Sequence, residues 1–170
     1  MNNVTLKGTP ITLDGNFPRI GQHIADFELT ADDLSDALLK DFKQPVLILN
    51  IFPSLDTSTC SMSVKKFNDA AASLPNCTVL CVSKDLPFAQ SRFCGAENIK
   101  NVKVLSAFRN KDFGPQFGVG IVDGPLRGLL ARSVIVLDSN RNVVYVELVP
   151  EIIEEPNYDK CLKAVAAITK

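Results

Sequence analysis

Cys60 is the cysteine whose neighbours could turn a thiol into a nucleophile. It follows Asn50-Ile51-Phe52-Pro53-Ser54-Leu55-Asp56-Thr57-Ser58-Thr59, where an apolar run from Val46 to Phe52 stops at Pro53 and polar turn and cap formers take over. From Cys60 onward the apolar positions fall at Val64, Phe67, Ala71 and Leu74, one face of a helix. The sulfur therefore belongs to the inward side of a helix, near its start, just after a buried strand. A helix N-terminus offers unpaired N–H groups and about half a positive charge, which favour thiolate over thiol. A thiol with pKa near ~8.5 is about 3% ionised at pH 7, whereas one at ~6 is about 90% ionised, roughly a thirtyfold gain in reactive sulfur. Nucleophilic attack by sulfur is the chemistry this placement suits. The competing reading is packing, since free cysteine often serves as a small buried hydrophobe.

The elements that must position this sulfur are readable along the chain. Val4–Lys7 and Ile11–Leu13 around Gly8-Thr9-Pro10 read as a β-hairpin. Asp33 to Leu39, with Leu34, Ala37 and Leu38, reads as a short helix. Val46–Phe52, apolar except for Asn50, and Cys77–Val82 read as central strands covered on both faces. The Cys60 helix is expected to reach about Leu74, before Pro75-Asn76. A helix from Pro87 to about Cys94 follows, with Pro87 tolerated in its first turn and Gly95 able to close it. Val102–Leu105 reads as a short strand, Phe113–Phe117 as a short helix and Gly118-Val119-Gly120 as a glycine-rich loop. Ser133–Leu137 and Val143–Leu148 read as antiparallel strands joined by a turn at Asp138–Asn142. Tyr158, Leu162, Val165 and Ile168 mark the apolar face of a last helix. Strands alternating with helices imply a mixed sheet covered on both faces.

Global properties narrow the function classes. A chain of 170 residues is expected to form one domain, residues 1–170, with a sizeable core. A net charge of −1 and no basic run interleaved with aromatics argue against nucleic-acid binding. No apolar run approaches the ~20 residues of a membrane helix, and the first residues lack the pattern of a signal peptide. Five cysteines without scaffold-like spacing suit a reducing cytosol, so a cytoplasmic location is expected.

The segment Pro53-Ser54-Leu55-Asp56-Thr57-Ser58-Thr59-Cys60 resembles the Pro-x-x-x-Thr-x-x-Cys signature of the peroxiredoxins, in the form found in their bacterial thiol peroxidase branch. Gly8-Thr9-Pro10-Ile11, Ser91-Arg92-Phe93-Cys94, Asp123 to Arg132 and Glu154-Glu155-Pro156-Asn157-Tyr158 are similar to the same branch, so the resemblance spans essentially the whole chain. It implies an α/β fold, a thioredoxin-like mixed sheet flanked by helices with an added N-terminal β-hairpin. It also implies a peroxidase acting on hydrogen peroxide and organic hydroperoxides, recycled by thioredoxin and assembled as a homodimer, with no metal, haem, flavin or selenium.

By the same resemblance Cys60 is the attacking sulfur and Cys94 the resolving thiol, the two closing an intrachain Cys60–Cys94 disulfide. Thr57 would set a hydroxyl beside the sulfur, Pro53 would shape and shield the loop, and Arg132 would supply a cation with planar donors. Residue chemistry alone leaves alternatives: Thr57 as a helix N-cap, Pro53 as a strand terminator, Arg132 as a surface arginine and Cys94 as a half-buried free thiol. Cys77 and Cys81 share one face of a strand and Cys161 lies beside an apolar helix face, all three reading as core. His23 is the sole histidine and reads as a loop residue, so zinc binding and a Cys-His hydrolase find little support. A redox sensor using the same disulfide as a switch is the alternative function. The absence of Cys-x-x-Cys weakens a thioredoxin-like oxidoreductase.

Overall fold

The computed structural model describes residues 3–169. In chain order the elements are β1 (Val4–Leu6), β2 (Thr9–Ile11), β3 (Leu13–Asp14), β4 (Glu28–Thr30), β5 (Asp36–Leu38), a 3-10 turn (Leu39–Asp41), β6 (Val46–Ile51), α1 (Ser58–Ala71), β7 (Cys77–Ser83), α2 (Pro87–Ala96), β8 (Lys103–Ser106), α3 (Phe113–Phe117), β9 (Gly120–Ile121), β10 (Ser133–Leu137), β11 (Val143–Leu148) and α4 (Tyr158–Ile168). A seven-stranded sheet in the order β11-β10-β6-β7-β8-β4-β5 forms the centre. Strands β6, β7 and β8 run parallel, while β10 joins β6 and β4 joins β8 antiparallel.

The parallel strands are apolar at nearly every position because both faces of the sheet are covered. Leu47, Leu49 and Ile51 of β6 face the core that contains Phe27, Phe113 and Phe117. Val46 and Ile48 face the opposite core, where Val64 and Phe67 of α1 and Cys161 and Val165 of α4 pack. Alternation along β6 puts Asn50 on this second face, under α1. All five cysteines belong to that cluster, Cys77 and Cys94 at its partly buried margin. The expected positions of Cys77, Cys81 and Cys161 in packing are those observed.

The N-terminal hairpin forms, but its first strand stops at Leu6 and its second is Thr9–Ile11 rather than Ile11–Leu13. Thr9 and Pro10, expected in the loop, therefore belong to the strand, and only two residues make the turn. Lys7 and Gly8 both adopt positive φ, 50° and 80°, the left-handed geometry that matches strand twist. Glu151 anchors this turn through the N–H groups of Lys7 and Gly8.

The expected helix over Asp33 to Leu39 is not there. The Asp33 carboxylate accepts both the N–H and the hydroxyl of Ser35, drawing Leu34 to a φ of 69° and closing a β4–β5 hairpin instead. Local side-chain bonds of this kind compete with helix formation. Helix α1 also ends earlier than expected, at Ala71 rather than near Leu74. Nor does Gly95 close α2: the helix runs through it to Ala96, and Asn98 takes the left-handed position with a φ of 55°. The Ile99 N–H then returns to the Cys94 carbonyl at 2.9 Å, a Schellman closure around that cysteine. In α4 the fully buried positions are Cys161 and Val165, with Leu162 only partly covered. Gly120, expected in a loop, joins Ile121 in β9, which pairs with β3.

Candidate active site

The site assembles where β6 ends, α1 begins and β10 begins. Antiparallel register sets Ser133 opposite Ile51, which brings Arg132 alongside the end of β6 and the Pro53 loop. The Arg132 guanidinium donates from Nη2 to the Cys60 sulfur at 3.2 Å, a contact across 72 residues of sequence. Its Nε donates to the Ile152 carbonyl at 2.9 Å, which fixes the fork. Cys60 is 0% exposed and Arg132 1% exposed, so the pair is withdrawn from bulk water. The guanidinium sets a positive charge within hydrogen-bond reach of the sulfur, and no acidic residue stands in the first turn of α1. Arg132 Nη1 is also buried and has no partner among the described residues. Unpaired buried donors are uncommon in folded proteins, and this one belongs to the guanidinium that touches the Cys60 sulfur.

Thr57 occupies the N-cap position of α1 with extended backbone, yet its side chain does not cap the helix. Its hydroxyl donates instead to the Ser54 carbonyl at 3.1 Å, holding the turn that precedes Cys60. Pro53 is buried in that turn between Phe52 and Ser54. Cys60, Arg132, Thr57 and Pro53 are thus gathered around one turn. Cys94 is not joined to them: it lies half-buried in the last turn of α2, and all five cysteines are free. Burial pushes the Cys94 thiol up, and the Asp32 carboxylate adds to the effect. His23 pairs through an isolated bridge with Asn142, at the far end of β10 from Arg132.

Several contributors were not singled out by sequence reasoning. Asn50 donates from Nδ2 to Ser63 Oγ at 3.3 Å, and the Ser63 hydroxyl donates to the Cys60 carbonyl at 2.9 Å. This buried brace supports the first turn of α1 from the sheet. Asn50 stood out as the lone polar residue of its strand, but Ser63 carried no signal. Glu155 joins the far side of α1 to the start of α4, accepting from the Tyr158 hydroxyl at 2.9 Å and pairing with Lys66 at 3.1 Å. Burial alone would raise the Glu155 carboxyl, but Tyr158, Lys66 and more distant Arg132 hold it below the usual range.

Burial raises the thiols of Cys77, Cys81 and Cys161, each to about 12. Such groups hold almost no thiolate at neutral pH and cannot compete as nucleophiles. Replacing each in turn by alanine is expected to leave peroxide turnover within about twofold of wild type while lowering stability by about 1 kcal/mol. Peptide mass mapping after peroxide treatment checks this, because a disulfide from Cys60 to any of the three would contradict it.

Fold and site together define a thioredoxin-like protein with a buried cysteine held against an arginine at the head of α1. The chain belongs to the Redoxin family, whose model matches residues 19–162. A thiol peroxidase of Corynebacterium glutamicum is 51% identical over 165 residues, covering 97% of this chain and 99% of that protein. The crystal structure of a peroxiredoxin-like protein from Aquifex aeolicus superposes with a TM-score of 0.93 at 42% identity, covering 99% of this chain and 98% of the other. A thiol peroxidase from Chromobacterium violaceum shares the fold with a TM-score of 0.89 at 23% identity, covering 97% of this chain and 95% of that one. The resemblance read from the sequence and the expected thioredoxin-like fold both stand.

Proposed function

We infer that this chain is a thiol-dependent peroxidase that reduces hydrogen peroxide and organic hydroperoxides through Cys60. The observation that carries the reading is the buried Arg132 guanidinium, which spends one donor on the Cys60 sulfur and keeps another unpaired beside it. The Cys60 thiolate attacks one peroxide oxygen, the O–O bond breaks, and the other oxygen leaves with a proton as water or alcohol. The spare Nη1 donor suits charge developing on the peroxide oxygens, and Thr57 and Pro53 confine the approach. The Cys60 sulfenic acid is then attacked by Cys94, giving a Cys60–Cys94 disulfide and water. A protein dithiol of the thioredoxin class takes over the disulfide and is itself oxidised. One domain carries the whole cycle, in a cytoplasmic homodimer, and no cofactor enters the chemistry.

NADPH consumption in a coupled system of thioredoxin reductase and thioredoxin, with hydrogen peroxide and an organic hydroperoxide side by side, tests this. Sustained turnover supports the peroxidase. A single slow oxidation without turnover would instead fit a redox sensor.

Motion is part of this reading. Disulfide formation requires Cα atoms about 4.4–6.8 Å apart, whereas the two cysteines occupy different helices and Cys60 is sealed in the core. Oxidation is expected to unwind the start of α1 and the end of α2 by local opening. Hydrogen exchange on oxidised against reduced protein should show lost protection at residues 57–62 and 90–97, with β6 and β7 unchanged. Identical exchange in the two states would contradict the opening.

A further inference from the structure

The two segments that must open are joined by one carboxylate outside the described chemistry. Asp85 precedes α2, and its Oδ1 accepts the Ser54 hydroxyl at 2.7 Å while Oδ2 accepts the Leu55 N–H at 2.8 Å. Ser54 and Leu55 belong to the loop that leads into α1. Oδ2 also accepts the Ser83 hydroxyl at 2.7 Å. Ser83 Oγ in turn accepts a proton of Gln90 Nε2 at 3.3 Å, and the same Nε2 donates to the Leu105 carbonyl at 2.9 Å. Gln90 is fully buried in α2, one helical turn before Cys94. An unbroken line of hydrogen bonds therefore runs from the Cys60 loop through Asp85 to the helix that carries Cys94. Two ion pairs also tie α2 to the α1 side, Arg92 to Asp56 at 3.8 Å and Lys65 to Glu97 at 2.9 Å, but both are exposed on either side and screened by solvent.

We propose that Asp85 is a positioning residue that locks the Cys60 loop and α2 in one closed arrangement, so that the two segments are released together when resolution begins. It touches neither sulfur and is not a catalytic residue. Bonds to a carboxylate are charge-assisted and among the stronger kinds. When Ser54 and Leu55 leave, water reaches Asp85 and competes for its bond to Ser83, which loosens the hold on Gln90. Opening of either segment thereby lowers the cost of opening the other. Gln90 Oε1, buried and without a partner among the described residues, adds nothing to hold the helix once that line is cut. The proposal rests on the reading of Cys94 as the resolving thiol.

Asp85→Asn keeps the shape but removes the charge and one acceptor. In this variant, single-turnover oxidation of Cys60 by hydrogen peroxide is expected to slow by less than about tenfold, because the closed state is less populated. Disulfide closure is expected to speed up several-fold, so the fraction of Cys60 over-oxidised to sulfinic acid at high peroxide falls several-fold. Hydrogen exchange of the reduced variant should rise at both residues 54–62 and 87–97. A purely structural role would lower Tm without shifting the ratio of closure to over-oxidation. An unchanged ratio, or faster exchange in only one segment, overturns the proposal. Ser83→Ala cuts the line beyond Asp85 and should shift the ratio in the same direction, which keeps the test available if Asp85→Asn folds poorly. Disulfide mapping of the wild-type protein separates the two failures. Without a Cys60–Cys94 bond the resolving reading fails, whereas a mapped bond with wild-type behaviour in both variants removes only the role of Asp85.

Discussion

Cys60→Ser is expected to reduce peroxidase turnover to the uncatalysed background, while Cys94→Ser keeps one oxidation of Cys60 at within about twofold of the wild-type rate and loses recycling. A serine hydroxyl in place of the sulfur stays protonated at neutral pH and is a weak nucleophile without a base, and the side chain bonded at this position is a guanidinium, a donor rather than a base. Cys94 packs at the margin of the same apolar cluster but is not what holds Cys60: it sits on α2, whereas Arg132 and the Asn50–Ser63 brace hold Cys60. Stopped-flow oxidation with stoichiometric peroxide separates the steps, since Cys94→Ser should give a sulfenic acid that reacts with an added thiol but is not turned over by thioredoxin. Equal loss of the first oxidation in both variants would end this division of roles. The resolving step should also quicken as pH rises, because burial and Asp32 hold the Cys94 thiol protonated and only its thiolate attacks.

Arg132→Met is expected to slow peroxide attack by about 10²–10³-fold, the usual cost of losing a donor aimed at developing charge. Methionine fills much of the same volume but removes the hydrogen bond to the sulfur, the unpaired Nη1 and the bond to the Ile152 carbonyl. Arg132→Lys restores charge without the fork and should fall between the two. The decisive comparison divides each rate by the thiolate fraction measured through thiol absorbance. Corrected rates equal to wild type would reduce Arg132 to a charge beside the sulfur, with no part in the transition state.

How far the sequence reached depends on whether a feature is local. The strand Val46–Ile51 and the helix after Cys60 were legible because apolar periodicity and the Pro53 stop are written in adjacent residues. The motif resemblance supplied Arg132, which spacing alone would have left as a solvated surface arginine. Its near-complete burial follows from antiparallel pairing of β10 with β6, a relation between distant segments. The misread segment after Asp33 fails for the opposite reason. A short Asp-x-Ser turn overrode weak apolar spacing, and the turn chemistry was present in the residues. Thr57 takes the helix-cap position without capping, and its hydroxyl donates instead to the Ser54 carbonyl. Asp85 and Ser63 were invisible in the sequence: ordinary polar residues gain meaning only from what the fold lays against them.

The contact between Arg132 and Cys60 spans 72 residues and exists only once β10 has paired with β6 in the right register. Long-range strand pairing is among the slower events in folding, and a one-residue slip would turn side chains to the wrong face. During synthesis the sulfur leaves the ribosome well before its guanidinium does. An unfinished chain therefore carries Cys60 as an unassisted thiol, with no buried cation to draw peroxide chemistry onto it. On the proposed role of Cys60, reactivity arrives with completion of the sheet, so the fold itself would keep half-made molecules from being consumed by the oxidant that the finished ones destroy.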